Sequence, residues 1–281
     1  MSVILVSSGP EPDHAAPGHP ERPERVAAIL DHIAGQEDLA GLPRLDPTEA
    51  DGAAIELVHT PAHALAVRAM AQRGGGWFDG DTFCGPGSHA AALRSVGAAL
   101  AAVDAVCDGR SDHAFSISRP PGHHATAGRA MGFCIFNNVA IAARHAQLRG
   151  RKRIAIIDID VHHGNGTEEI FWDDPSVLYT SLHQSPLYPG TGQASAHGGP
   201  EALGLNINVP LPGINANAKN QCSVAPCSNS FAHNTITFSF RTPGKGTYRW
   251  QCFVPCAAGF LFGNGGPMQT IGYMSGLIEV S

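Results

Sequence analysis

Two stretches of this chain carry residue types that do chemistry. RPPGHHA, residues 119–125, sets two adjacent histidines, His123 and His124, behind a stiff Pro-Pro-Gly approach. Proline fixes the backbone there, and glycine permits unusual angles. Neighbouring imidazoles so presented can share general-base and general-acid work near neutral pH; a structural pair is the plainer alternative. The second stretch is IAIIDIDVHHGNGT, residues 154–167. Its four apolar residues suit a strand buried on both faces that ends at a site. In an extended chain Asp158, Asp160 and His162 alternate onto one side. Carboxylate oxygen and imidazole nitrogen are both good zinc ligands. A capped strand end with solvated acids is the competing reading.

The elements that must position these residues follow from periodicity. Residues 2–7, 114–118, 154–157, 177–183 and 205–210 read as short strands, and 26–35, 53–73, 90–106 and 139–149 as helices, the second interrupted near His59–Thr60–Pro61. FDGDTFCGPGS, with Asp79 and Asp81, reads as a loop, as does SPLYPGTG. Strands separated by helices imply an α/β fold with a mostly parallel open sheet flanked by helices.

Composition narrows the class. A 43% apolar content in 281 residues suffices for a real core. No apolar run approaches membrane-spanning length, and MSVILVSSGPEPDH lacks a signal-peptide pattern. A net charge of −6 argues against a broad nucleic-acid surface. Seven cysteines without framework spacing point to a reducing compartment, the cytoplasm. The totals hide a break. Asp174 is the last aspartate, and after Glu201 the only acid is Glu279. From Gly213 onward four basic residues face one acid, a charge of +3, leaving −9 on residues 1–212. Four cysteines, Cys222, Cys227, Cys252 and Cys256, fall in that last quarter. No helical pattern appears there; residues 233–241, 247–254 and 271–280 read as strands. Two units result, an α/β domain over 1–212 and a β-rich segment over 213–281.

HPERPER, DGDT, RPPGHHA, GFCIFNNVAIAA, IDIDVHHGNGT, SLH and YPGTG, in this order, resemble the histone deacetylase, acetylpolyamine amidohydrolase and acetoin-utilisation family. The resemblance covers residues 1–212 and implies an arginase/deacetylase-like fold that is incomplete at its C-terminal end. It implies zinc-dependent hydrolysis of acetyl-lysine or acetylated amines by metal-activated water. Asp160 and His162 match two of three zinc ligands; His123 and His124 match the catalytic pair. Asp158 is similar to the acid that orients His123, and Asn165 stands where the partner of His124 is expected. Phe133 and Tyr188 resemble the walls of an acyl-lysine tunnel, Asp81 a substrate-backbone acceptor, and Arg25 an inner-channel arginine. Asp158, Asp160, His162, Ser181 and Leu182 resemble a structural potassium site. The family's third ligand is an Asp on a later strand, which this sequence lacks.

The tail resembles the C-terminal portion of a cupredoxin-like domain, with His233, Cys252, Cys256, Met268 and Met274 as copper-type ligands. Disulfides Cys222–Cys227 or Cys252–Cys256 remain alternatives. The change of style near residues 210–215 suggests a chimera. Three readings therefore stand: a deacetylase or related amidohydrolase, an inactive remnant that still binds an acyl-lysine-like ligand, and a copper-binding electron-transfer module.

Overall fold

The computed structural model describes residues 2–212 in full and the backbone of 246–251 and 275–280. The first half builds a parallel sheet with helices around it. β1 (Val3–Ser7) leads through α1 (Pro23–Ala34) to the short β2 (Arg44–Leu45). Next come α2 (Gly52–Glu56), α3 (Pro61–Gln72), the two-residue strands β3 (Gly76–Trp77) and β4 (Phe83–Cys84), and α4 (Ser88–Cys107). β5 (His113–Ile117) then pairs parallel to β1, giving the order β2-β1-β5. The expected break near His59 is real. Thr60 caps α3 by accepting from the His63 N–H at 3.2 Å, which satisfies a donor the helix start leaves open.

The second half repeats the plan. α5 (Asn138–Leu148) is capped by the Asn137 side chain, which accepts from the Ala140 N–H at 3.1 Å. β6 (Ile154–Asp158), α6 (Asn165–Phe171), β7 (Val177–Ser185), a 3-10 turn at Pro200–Ala202 and β8 (Asn206–Pro212) follow. These strands form a separate parallel sheet, β6-β7-β8. The two sheets are hydrogen-bonded within themselves and are bridged by the packing of α4 on α5. β9 (Gly246–Gln251) and β10 (Ser275–Val280) form an antiparallel pair. His233, Cys252, Cys256, Met268 and Met274, with the cysteine pairs of the tail, lie outside the described residues.

Packing follows the apolar faces. Leu5 and Ile117 meet Val26 and Ile33 of α1. Val67, Val96, Ile55, Ile135, Phe136 and Ile141 form the central core. Ile156, Val177, Tyr179, Phe171 and Ala140 pack the inner face of the second sheet. Each of these Val, Leu, Ile and Phe side chains contributes on the order of 1.5–3 kcal/mol relative to exposure.

Two expectations change here. β6 is not buried on both faces: Ile156 is buried, but Ile157 is 67% exposed and Ile207, aligned through Thr180, is 42% exposed. A parallel sheet wants cover on both faces, and none of the described elements covers this one. The expectation that no apolar run reaches membrane-spanning length also fails, since the 20-residue α4 passes by length and composition. Its physical context is that of a core helix: Ala91, Ala92, Val96, Ala98 and Ala105 are buried, against β1, β5 and α5.

Candidate active site

The loops that leave β5 and β6 meet. Residues 119–124 carry His123 and His124 against the start of α6, where the Gly166 and Thr167 N–H groups donate to the His123 carbonyl at 3.0 and 3.1 Å. His123 Nδ1 donates to Asp158 Oδ2 at 2.8 Å. A carboxylate only accepts, so the proton sits on Nδ1. His123 Nε2 then faces Asp160 Oδ1 at 3.9 Å. His124 Nδ1 donates to Asn165 Oδ1 at 2.8 Å, leaving Nε2 as the free lone pair. The two rings lie 4.0 Å apart, centroid to centroid.

Asp158 ends β6, and the chain beyond it does not stay extended. Asp158 Oδ1 accepts from the Asp160 N–H at 3.1 Å, and Asp160 Oδ1 accepts from the His162 N–H at 2.8 Å. Successive carboxylate-to-backbone turns, rather than strand alternation, gather these groups. Gly164 is required by close approach: a Cβ there would stand 2.2 Å from Asp158 Oδ2 and 2.5 Å from the Tyr179 hydroxyl. That hydroxyl donates to the Gly164 carbonyl at 3.0 Å and lies 3.2 Å from Asp158 Oδ2. Tyr179 was not singled out in the sequence; its inward alternation in β7 was the available signal.

The histidines are driven apart electrically. Burial alone would lower His123, but the charge and hydrogen bond of Asp158, with the charge of Asp160, raise it to about 9. Burial, and then the positive His123, lower His124 to about 3. Asp160 would be raised by burial, yet its hydrogen bond to His162 and the His123 charge hold it down at about 2.

Asp160 and His162 do come together, with Nδ1 to Oδ1 at 3.1 Å. Among the described residues there is no group of three or more His, Cys, Asp or Glu side chains placed to hold a metal ion. A catalytic zinc site takes three protein ligands and a water; this pair alone does not fit one. Of the potassium-type set, Ser181 pairs in register with Asp158 and Leu182 follows it on β7, beside the turn that holds Asp160 and His162. Ser181 Oγ bonds His183 Nδ1 at 2.9 Å.

Of the two aromatic residues singled out, Tyr188 stands against the pair. Tyr188 packs edge-on to His124 at 5.0 Å and to His162 at 6.1 Å. Phe133 takes φ +69° and meets the edge of His19 at 4.7 Å, while its N–H donates to Thr82 Oγ1 at 3.1 Å. Asp81 lies between β3 and β4, its carbonyl accepting from His19 Nε2 at 2.9 Å. Burial and the adjacent Asp79 raise Asp81; burial, then Asp81 and Asp79, push Tyr188 up to about 12. Arg25 is further back, bonding Glu21 Oε1 at 3.3 Å. Behind Arg119 lies a buried ionic cluster with Glu21 and His14, which no local motif announced.

Buried histidines also set an acid limit on stability. Burial, and then the neighbouring His63, lower His59 from 6.5 to about 4, and burial lowers His63 as well. The unfolded chain then binds more protons between those values, so stability falls as pH drops through 6.5. His59 alone accounts for about 2 kcal/mol between pH 7.5 and 5. His63 and His124 add to this; His123, raised in the fold, opposes it. The urea midpoint is expected to be lower at pH 5 than at pH 7.5, and an unchanged midpoint would contradict the burial of these rings as neutral groups.

Comparison with known proteins places these features in a family. The family model described as "Histone deacetylase domain" matches residues 19–230, past the change of style near 212. A "Probable deacetylase" of Methanothermobacter thermautotrophicus is 46% identical over 195 residues, 68% of this chain and 57% of the relative. A "Histone deacetylase-like amidohydrolase" of Pseudomonas aeruginosa is 45% identical over 203 residues, 70% of this chain and 52% of the relative. The crystal structure of the HDA15 HD domain superposes with a TM-score of 0.70 at 38% identity, covering 74% of this chain and 62% of that one. The chain spans just over half the length of these two curated relatives. Its mostly parallel, helix-flanked sheets are the α/β fold of that neighbour.

Proposed function

The chain belongs to the histone deacetylase family, and from that premise we propose that residues 1–212 hydrolyse the amide of acetyl-lysine or another acetylated amine. The observation that carries this reading is the pair of oppositely tuned imidazoles, His123 on Asp158 and His124 on Asn165. Neutral His124, with its lone pair on Nε2, takes a proton from the attacking water. His123, held protonated by Asp158, stabilises the negative charge that develops on the acetyl oxygen. The carbon–nitrogen bond breaks as the proton taken up by His124 passes to the leaving amine, releasing acetate and free amine. Tyr188 and Phe133 flank the acyl chain, and Asp81 accepts from the substrate's backbone or amine N–H.

Zinc enters the proposal only as an ion that Asp160 and His162 would hold, and two donors bind it weakly. No step above runs through it. Potassium at the Asp158, Asp160, His162, Ser181 and Leu182 set, and a cytoplasmic setting, belong to the same proposal. The two-donor set favours one second reading, a chain that binds acylated amines without turning them over.

Zinc content of the purified chain, measured beside acetate release from an acetyl-lysine reporter, tests both. Turnover with about one zinc per chain would support the first reading. Reporter binding without turnover would replace the first reading with the second; no metal, binding or turnover would remove both.

A further inference from the structure

The segment that carries Tyr188 is fastened from below by two buried histidines that the chemistry above does not use. His163 and His183 are each 1% exposed, and their rings lie 4.7 Å apart. His183 Nε2 bonds the Gly192 carbonyl at 3.0 Å. A carbonyl only accepts, so the proton is on Nε2 and Nδ1 accepts from the Ser181 hydroxyl, at 2.9 Å. His163 Nε2 stands 3.3 Å from Glu168 Oε2, a carboxylate oxygen that also receives the side-chain amides of Asn206 and Asn208 at 2.7 and 2.6 Å. His163 Nδ1 is hydrogen-bonded to the Thr191 hydroxyl at 2.8 Å. Gly192 completes the seat. It has φ +85°, and a Cβ there would lie 2.5 Å from His183 Nε2 and 2.6 Å from His163 Cγ. The loop backbone therefore rests directly on the histidine pair.

The two consecutive histidines of the HHGNG turn divide the labour. His162 meets the edge of Tyr188, and His163 grips the loop three residues further on. We propose that His163 and His183 are positioning residues that fix the Tyr188 wall through Thr191 and Gly192, and so govern how firmly an acylated amine is held. This rests on the reading of Tyr188 as a wall of the site given above. The hydrogen bonds hold the loop at Thr191 and Gly192, just past Tyr188, so loss of one should loosen the wall and leave the proposed reacting pair, on other loops, in place. The effect should thus fall on KM and spare kcat.

Thr191→Val keeps the shape and removes the hydroxyl; Thr191→Ser restores it. In the full chain, amide hydrogen exchange of residues 190–193 is expected to rise about tenfold in Thr191→Val and to return towards the original rate in Thr191→Ser. Exchange across 177–182 should not change. With the acetyl-lysine reporter, KM should rise several-fold in Thr191→Val with kcat within about twofold, and this rise should vanish in a Tyr188→Ala background. Unchanged exchange at 190–193, or faster exchange spreading through β7, would overturn the proposal. So would a KM effect that persists without Tyr188. A chain that hydrolyses nothing would refute the proposed function, and the exchange measurement would still decide whether the histidines hold the loop.

Discussion

Replacing Arg119 with methionine is expected to lower the unfolding free energy by about 3–5 kcal/mol, a large share of the roughly 5–15 kcal/mol that holds a native chain folded. Arg119 is fully buried and fills its donor fork. Nε and Nη2 reach the two oxygens of Glu21 at 2.8 and 2.7 Å, and Nη1 reaches the carbonyls of Pro10 and Glu11 at 2.9 and 2.7 Å. Burial would raise Glu21, but the hydrogen bonds from His14 and Arg119 hold it down at about 2. Removing the guanidinium leaves that carboxylate charged and enclosed, with His14 and the half-exposed Arg25 as its remaining partners. Most of the cost is this stranded charge, because a buried ion pair is near break-even against apolar residues of similar size. A double variant, Arg119→Met with Glu21→Met, should therefore recover part of the loss in a urea titration. If the single variant costs less than about 1 kcal/mol, the cluster does not hold the loop 8–22 against the segment that presents the histidines.

His123→Ala and His124→Ala should each reduce turnover of an acetyl-lysine reporter by about 10²–10⁴-fold, the span expected for a positioned proton-transfer group. The two losses should not multiply, since the imidazoles act as one unit on one substrate. Asp158→Asn should cost less than removing the ring it orients, because His123 keeps its place but loses the charge that holds it protonated. Turnover surviving either alanine variant would remove the pair from the mechanism. The variants must be shown folded by circular dichroism, as Asp158 also ties down Tyr179 and the 158–164 turn.

Local pattern made β1, β5, β6, β7, β8 and the helices α1 to α5 legible, but not α6 or the two-residue strands β2, β3 and β4. The tandem histidines and the IDID motif pointed to residues that the structure brings together. Periodicity reports which side of a segment is apolar, and in β1, α4, α5 and β7 that side is buried. It does not report whether a partner for the other side is present. So β6, four apolar residues in a row, read as covered on both faces although Ile157 is bare. Nor does it give the conformation past a strand end, where side-chain hydrogen bonds to the backbone gather Asp158, Asp160 and His162. Contacts between segments far apart in the chain were invisible for the same reason. Arg119 with Glu21, Tyr179 with Asp158, and Thr191 with His163 are each set by the fold, and none has a sequence spacing to announce it.

The separation of the two sheets bears on the site in a further way. The imidazoles of His123 and His124 hang from the β2-β1-β5 half, and the groups they bond, Asp158 and Asn165, hang from the β6-β7-β8 half. Among the described residues no strand ladder ties the halves together; helix contacts and the site's own hydrogen bonds do. Each half is then a candidate cooperative unit, able to part from the other at less than the global unfolding cost. The hydrogen bonds that fix the tautomers of the two histidines thus cross the seam: any opening along it would release both rings before either half had unfolded.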